Sequence, residues 1–133
     1  MSRYCLDTSA YSHFKRGDVR VVELIDTAEW VGLPSVVIGE LWMGFLQGKQ
    51  ATRNAEELDE FLAHSTVEEL VVDRAVARIF GEIVVALRGA GTPLPTNDIW
   101  IAATAARAGA TVLTYDTHFN EIPRVGALVL AAQ

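Results

Sequence analysis

Residues 96–116 read TNDIWIAATAARAGATVLTYD, and this stretch decides the fold class. Thr96 stands where a helix cap is expected, and Asn97 to Ala108 is a run of helix formers. Gly109 supplies a stop. Thr111 to Thr114 is then a short apolar strand that ends just before Asp116. A helix closed by glycine and followed at once by a buried strand is one unit of an α/β fold.

The same alternation extends outward in both directions. Arg3 to Leu6 reads as a strand ending at Asp7. Thr8 and Ser9 offer a cap for a helix around Tyr11 to Lys15, which Gly17 and Asp18 interrupt. Val21, Val22, Leu24, Ile25 and Ala28 recur at helical spacing within Val19 to Ala28. Trp30 to Leu33 is a second strand, closed by Pro34. Ser35 is the expected cap of a helix from Val36 to about Leu46, with Gly48 closing it. Gln50 to Ala63 is amphipathic, and Val67 to Val72 is a third strand. Asp73 caps a helix from Arg74 to about Ala90. Ala127 to Leu130 is the final strand. Short, continuously apolar strands separated by helices predict a three-layer α/β/α domain over 1–133 with a central, mostly parallel sheet.

Bulk composition bounds the function. Half of the 133 residues are apolar, enough for a core without crosslinks. The single cysteine, Cys5, forbids an internal disulfide and fits a reducing cytoplasm. Flanked by Tyr4 and Leu6, it reads as inert core. No run approaches the roughly 20 apolar residues of a membrane span, so no membrane partner is expected. A net charge of −6 excludes a broadly basic nucleic-acid surface. Any grip on a polyanion must come from local groups, and two are visible: Lys15, Arg16 and Arg20, and Lys49 with Arg53. For each, ordinary solvated charge is an equally good reading.

Four carboxylates stand apart from the rest. Asp7 follows the first strand and Asp116 follows the Thr111–Thr114 strand. Asp98 lies in the first turn of its helix, where the dipole is expected to keep it ionised. Glu40 sits among Val37, Ile38, Leu41 and Trp42, with no structural reason to be there. Ligands in open α/β sheets bind beyond the carboxyl ends of the strands, where all four fall. Acids in apolar surroundings need a counter-charge, and these segments hold too few Lys or Arg to provide it. All-oxygen donors favour hard ions, Mg²⁺ or Mn²⁺. Such ions at a carboxylate cluster suit displacement at a phosphate.

Taken singly, Asp7 is also a good cap, Asp98 a favourable first-turn charge and Asp116 an ordinary turn residue. Glu56, Glu57, Asp59 and Glu60 read as an outer helix face. His118 lies close to Asp116, where contact with substrate or metal is one reading and a solvated loop residue the favoured one; His13 and His64 read as helix-surface residues. Trp30, Trp42 and Trp100 are candidates to stack on bases, but Trp42 and Trp100, within apolar helix segments, read better as core or dimer packing. Gly44, one turn after Glu40, predicts a close approach by another backbone or by the acid cluster.

Four motifs together carry a resemblance: Leu6-Asp7-Thr8-Ser9, Gly39-Glu40-Leu41 with Gly44, Asn97 to Ala105, and Leu113-Thr114-Tyr115-Asp116 with Phe119. The sequence resembles the PIN-domain ribonucleases, and within them the VapC toxins of bacterial toxin–antitoxin pairs. The resemblance implies a PIN-like fold and cleavage of RNA phosphodiester bonds by a Mg²⁺- or Mn²⁺-dependent endoribonuclease. It implies that Asp7, Glu40, Asp98 and Asp116 bind metal and catalyse, with Ser9 and Thr114 supporting them by hydrogen bonds. It also implies a homodimer and inhibition by a cognate antitoxin. The rival class is a non-catalytic binding module that keeps the fold and acts through a partner. Cleavage of RNA separates the two.

Overall fold

Strand β1 (Arg3–Leu6) is the middle of the molecule because its residues tolerate burial on both faces: Cys5 and Leu6 are fully enclosed. The computed structural model describes residues 2–131. Around β1 lie β2 (Trp30–Pro34), β3 (Val67–Leu70), β4 (Thr111–Thr114) and β5 (Ala127–Val129), in the order β3-β2-β1-β4-β5. Every neighbouring pair is parallel. The α-helices among the described residues are α1 (Thr8–Lys15), α2 (Val19–Thr27), α3 (Ser35–Gln47), α4 (Ala51–Leu62), α5 (Arg74–Gly89) and α6 (Thr96–Ala108).

The chain runs from β1 outward to β2 and β3, then returns across the sheet to β4 and β5. Right-handed crossovers therefore place α1 to α4 on one face and α5 and α6 on the other. The packing agrees: α1 contacts α2 and α3, α3 contacts α4, and α5 lies along α6. The reversal of strand order falls between β1 and β4, which opens a crevice at their carboxyl ends.

Several boundaries differ from the sequence expectation. Ser35 and Thr96 are the first helical residues of α3 and α6, not caps; Pro34 and Pro95 precede them with no side-chain cap hydrogen bond. Proline's fixed φ sets the entry angle of the helix in place of a capping side chain. In α1 the cap is Asp7, not Thr8 or Ser9, so the helix starts at Thr8. β3 stops at Leu70, and Val71 and Val72 run on exposed beyond the sheet. β3 is an edge strand, and Glu68 and Glu69 on it discourage pairing with another chain. A 3₁₀ helix, Thr117–Glu121, follows Asp116. Asp73 caps α5 as expected, accepting the Val76 N–H at 2.8 Å. Gly109 ends α6 with φ of 66°, the left-handed conformation that favours glycine.

Gly32 in β2 is there for space. A Cβ at that position would lie 2.4 Å from the Trp30 ring and 2.6 Å from Leu70 Cδ1. The indole is itself covered by the Arg3 guanidinium, 4.3 Å from the ring centroid. Gly32→Val should therefore lower unfolding stability by about 1–3 kcal/mol through overpacking, measured by urea denaturation, without altering the distant carboxylates. An unchanged midpoint would show that the indole yields freely.

Candidate active site at the carboxyl edge

Asp7 is 5% exposed and fully engaged. Its Oδ1 accepts Ser9 Oγ–H at 2.7 Å and the Ala10 N–H at 2.8 Å. Its Oδ2 accepts the Thr114 hydroxyl. The register explains that last bond: Leu6 pairs with Leu113, so the next residues, Asp7 and Thr114, meet across β1 and β4. Both hydroxyls are used twice. Ser9 Oγ accepts the Tyr115 N–H at 3.0 Å, and Thr114 Oγ1 accepts the Asp116 N–H at 2.9 Å. Ser9 and Thr114 thus tie Asp7 to the segment that carries Asp116.

Glu40 approaches from α3 on the other side. Its Oε1 accepts Thr8 Oγ1–H at 2.7 Å, and its Oε2 faces Asn97 Nδ2 at 3.5 Å. Glu40 and Asn97 form part of the contact between α3 and α6 beyond the sheet. Asp116 Oδ1 accepts the His118 N–H at 2.9 Å, and His118 Nδ1 lies 3.2 Å from the same oxygen. A ligand atom from each of Asp98, Asp116 and His118 falls within 4.8 Å of the others.

The four acids are close enough to act on one another's charge. Burial is the largest cause raising the Asp98 carboxyl, followed by the negative charges of Asp116, Asp7 and Glu40; together they push it up to about 6. His118 acts weakly in the opposite sense. The helix dipole that favours the anion is outweighed, because burial and three nearby carboxylates act against the roughly half a charge of one helix end. Burial also raises Asp7, while its hydrogen bonds from Thr114, Ala10 and Ser9 pull it back. Among the described residues, Lys and Arg form their ion pairs with Glu57 and Glu82, not with these four acids. The donor set is thus crowded, anionic and rich in oxygen, and it fits a divalent cation.

Three contacts escape a reading of the sequence. Thr8, expected to cap, holds Glu40 instead. Asn97 reaches the same carboxylate. His118, expected to be solvated, turns onto Asp116. The available signal is only their position, each within two residues of a cluster acid. His13 is not a free surface residue either: it stacks on Tyr115 with centroids 3.8 Å apart and its Nδ1 lies 2.9 Å from Ser9 O. A Cβ added at Gly44 would meet nothing within 4 Å in this chain, so no close approach within the fold itself requires the glycine.

The basic residues are partly brought together. Lys15, Arg16 and Arg53 line one open cleft of about 320 Å³ with Tyr11, Leu41 and Phe45. None of the four acids lines this cleft. Glu57 also enters it, pairing with Lys15 at 2.8 Å and Arg53 at 3.5 Å. Glu57 therefore departs from the expected outer acidic face, because Lys15 draws it inward. Lys49 borders an adjoining hollow with Arg53. Arg20 lies apart, in the first turn of α2, and does not line the cleft. Trp100 packs as expected, stacked on Phe80 at 3.7 Å, whereas Trp42 is 41% exposed beside Met43 and Leu46.

The Asp98 environment has a measurable consequence in the metal-free protein. A carboxyl whose folded-state value is raised contributes stability fully below the unfolded value, about 3.9, and loses it as pH rises through the folded value. In EDTA, Asp98→Asn should therefore match the parent near pH 4 and become more stable than it as pH rises through about 6. Thermal unfolding from pH 4 to 8 measures this. A difference independent of pH would contradict the crowding.

Comparison with known proteins agrees with this geometry. The PIN domain family model matches residues 4–125. Ribonuclease VapC4 of Mycobacterium tuberculosis is 35% identical over 102 residues, covering 77% of this chain and 78% of that protein. The crystal structure of DNA-bound VapBC from Salmonella typhimurium superimposes with a TM-score of 0.86 at 26% identity, covering 97% and 98% of the two chains. VapBC-5 of Mycobacterium tuberculosis, described as a member of the VapBC family of toxin–antitoxin systems, gives a TM-score of 0.72 at 25% identity over 98% of this chain and all of that one. With a five-stranded parallel sheet, four acids at its switch point and these relatives, the chain belongs to the PIN-domain family, among its VapC members.

Proposed function

We propose that this protein is a metal-dependent endoribonuclease and the toxin of a toxin–antitoxin pair. The observation that carries the reading is the convergence of Asp7, Glu40, Asp98 and Asp116 at one edge, with no Lys or Arg ion pair to any of them among the described residues. The names of its relatives supply the substrate class and the kind of partner.

In this reading Asp7, Asp98 and Asp116 hold Mg²⁺ or Mn²⁺, and Glu40 completes the site. When bound, such an ion offsets the charge that builds on the phosphate during displacement. The chain's own task is to fix the acids beforehand. Ser9, Thr114 and the Ala10 N–H immobilise Asp7, and the His118 N–H immobilises Asp116. Thr8 restrains Glu40, whose carboxylate orients the attacking water and takes its proton. The water oxygen bonds to phosphorus as a P–O ester bond breaks.

RNA enters along the cleft bordered by Lys15, Arg16 and Arg53, with Lys49 beside it; Arg20 is outside this path. The exposed Trp42, Met43 and Leu46 on α3 support a protein partner, either the antitoxin or a second copy in a homodimer. No helix among the described residues is long and apolar enough to cross a membrane, and the proposed place of action is the cytoplasm. The binding-module alternative is disfavoured because all four acids are present and assembled.

Total cellular RNA incubated with the purified protein and Mn²⁺ or Mg²⁺ should yield discrete fragments that vanish in EDTA. Asp98→Asn should reduce cleavage at least about 100-fold while the fold persists, in line with loss of a group that stabilises the transition state. It is a cleaner variant than Asp7→Asn, since Asp7 also caps α1. Full cleavage by Asp98→Asn would overturn the assignment. Arg16→Glu with Arg53→Glu should weaken RNA binding and flatten its salt dependence, measured by fluorescence anisotropy; unchanged binding would remove the cleft from the path.

A further inference from the structure

His118 sits where solvation is the simple expectation, two residues beyond Asp116 and with its side chain 56% exposed. The local fold gives it another direction. Asp116 caps the 3₁₀ helix Thr117–Glu121, and Phe119, 1% exposed, anchors that turn in the core. The turn is thus fixed on both sides of His118, and the imidazole lies back over the carboxylate, with Nδ1 3.2 Å from Asp116 Oδ1. That oxygen already accepts the His118 backbone N–H at 2.9 Å, so the ring is not needed to hold the carboxylate.

A ring nitrogen of His118 and one oxygen each from Asp98 and Asp116 lie within 4.8 Å of one another. Donors about 2.1–2.3 Å from a single ion stand up to about 4.2–4.6 Å apart. The three atoms therefore need only a small adjustment to share an ion, and the exposed ring is free to make it.

We propose that His118 is a nitrogen ligand of the divalent ion, and that it biases the site toward Mn²⁺ over Mg²⁺. The proposal rests on the metal-dependent reading above. Mg²⁺ prefers oxygen donors and keeps its waters, whereas imidazole suits transition ions. Carboxylates alone would leave the choice between the two ions to availability. One imidazole among them makes it a property of the chain.

The test uses the full chain, stripped of metal and titrated with Mn²⁺ or Mg²⁺, in the parent, His118→Ala and Asp98→Asn forms. Pulsed electron paramagnetic resonance of bound Mn²⁺ should show ¹⁴N coupling in the parent and none in His118→Ala. Calorimetry should show Mn²⁺ affinity falling about tenfold or more in His118→Ala, the scale on which metal-site support is lost, with Mg²⁺ affinity changing far less. His118→Ala keeps the backbone N–H on Asp116, and a thermal melt in EDTA checks its fold. Mn²⁺ bound in an Asp98-dependent way without nitrogen coupling would overturn the His118 ligand and leave the metal site standing. Absence of any Mn²⁺ or Mg²⁺ binding by the parent would overturn both.

Discussion

The hydrogen bond from Thr114 to Asp7 joins the ends of β1 and β4 at the point where strand order reverses, and the arrangement of the crevice hangs on it. Asp7 is at once the last residue of the central strand's path, the cap of α1 and an acid of the cluster. A buried carboxylate without donors would take a proton instead of keeping its charge. Two hydroxyls and one backbone N–H oppose that, and each hydroxyl in turn receives an N–H from the Tyr115–Asp116 segment. The cap of one helix and the position of another acid are therefore settled by the same few atoms.

Around that anchor the protein accumulates charge that destabilises it. Asp98 is raised because water is partly excluded from it and, after that, because its neighbours are anions. A stability-driven design would place a lysine or arginine among them. The cations go elsewhere: Lys15 and Arg53 to Glu57, Arg78 and Arg124 to Glu82. Repulsion held in place by packing and hydrogen bonds is the physical signature of a site prepared for a cation. A separate cleft gathers Lys15, Arg16 and Arg53, with Glu57 among them, within one acidic chain. Overall charge is thus a poor guide to what the protein touches.

Much of this was legible in the order of the residues. The alternation of helical and apolar runs determined the α/β class, and each of the five strands among the described residues overlaps a segment expected as a strand. The four acids were visible because each interrupts an apolar context, and the ends of parallel strands share one edge whatever the details of packing. The composition determined that no disulfide can form, and Cys5 is indeed enclosed, its thiol pushed far up by burial.

Tertiary structure decided the rest, since it depends on distances between segments remote in sequence. Which hydroxyl serves as cap and which holds Glu40 could not follow from Asp7-Thr8-Ser9, because the choice turns on α3 arriving 32 residues later. The joining of Lys15 and Arg53 in one cleft, the inward turn of Glu57 and the exposure of Trp42 follow from the packing of α1, α3 and α4. The upward shift of the Asp98 carboxyl is the clearest case. Sequence supplies a helix terminus that favours the anion; only the folded chain buries the carboxyl and brings three more carboxylates near it, because exclusion of water and Coulomb repulsion both depend on separation in space.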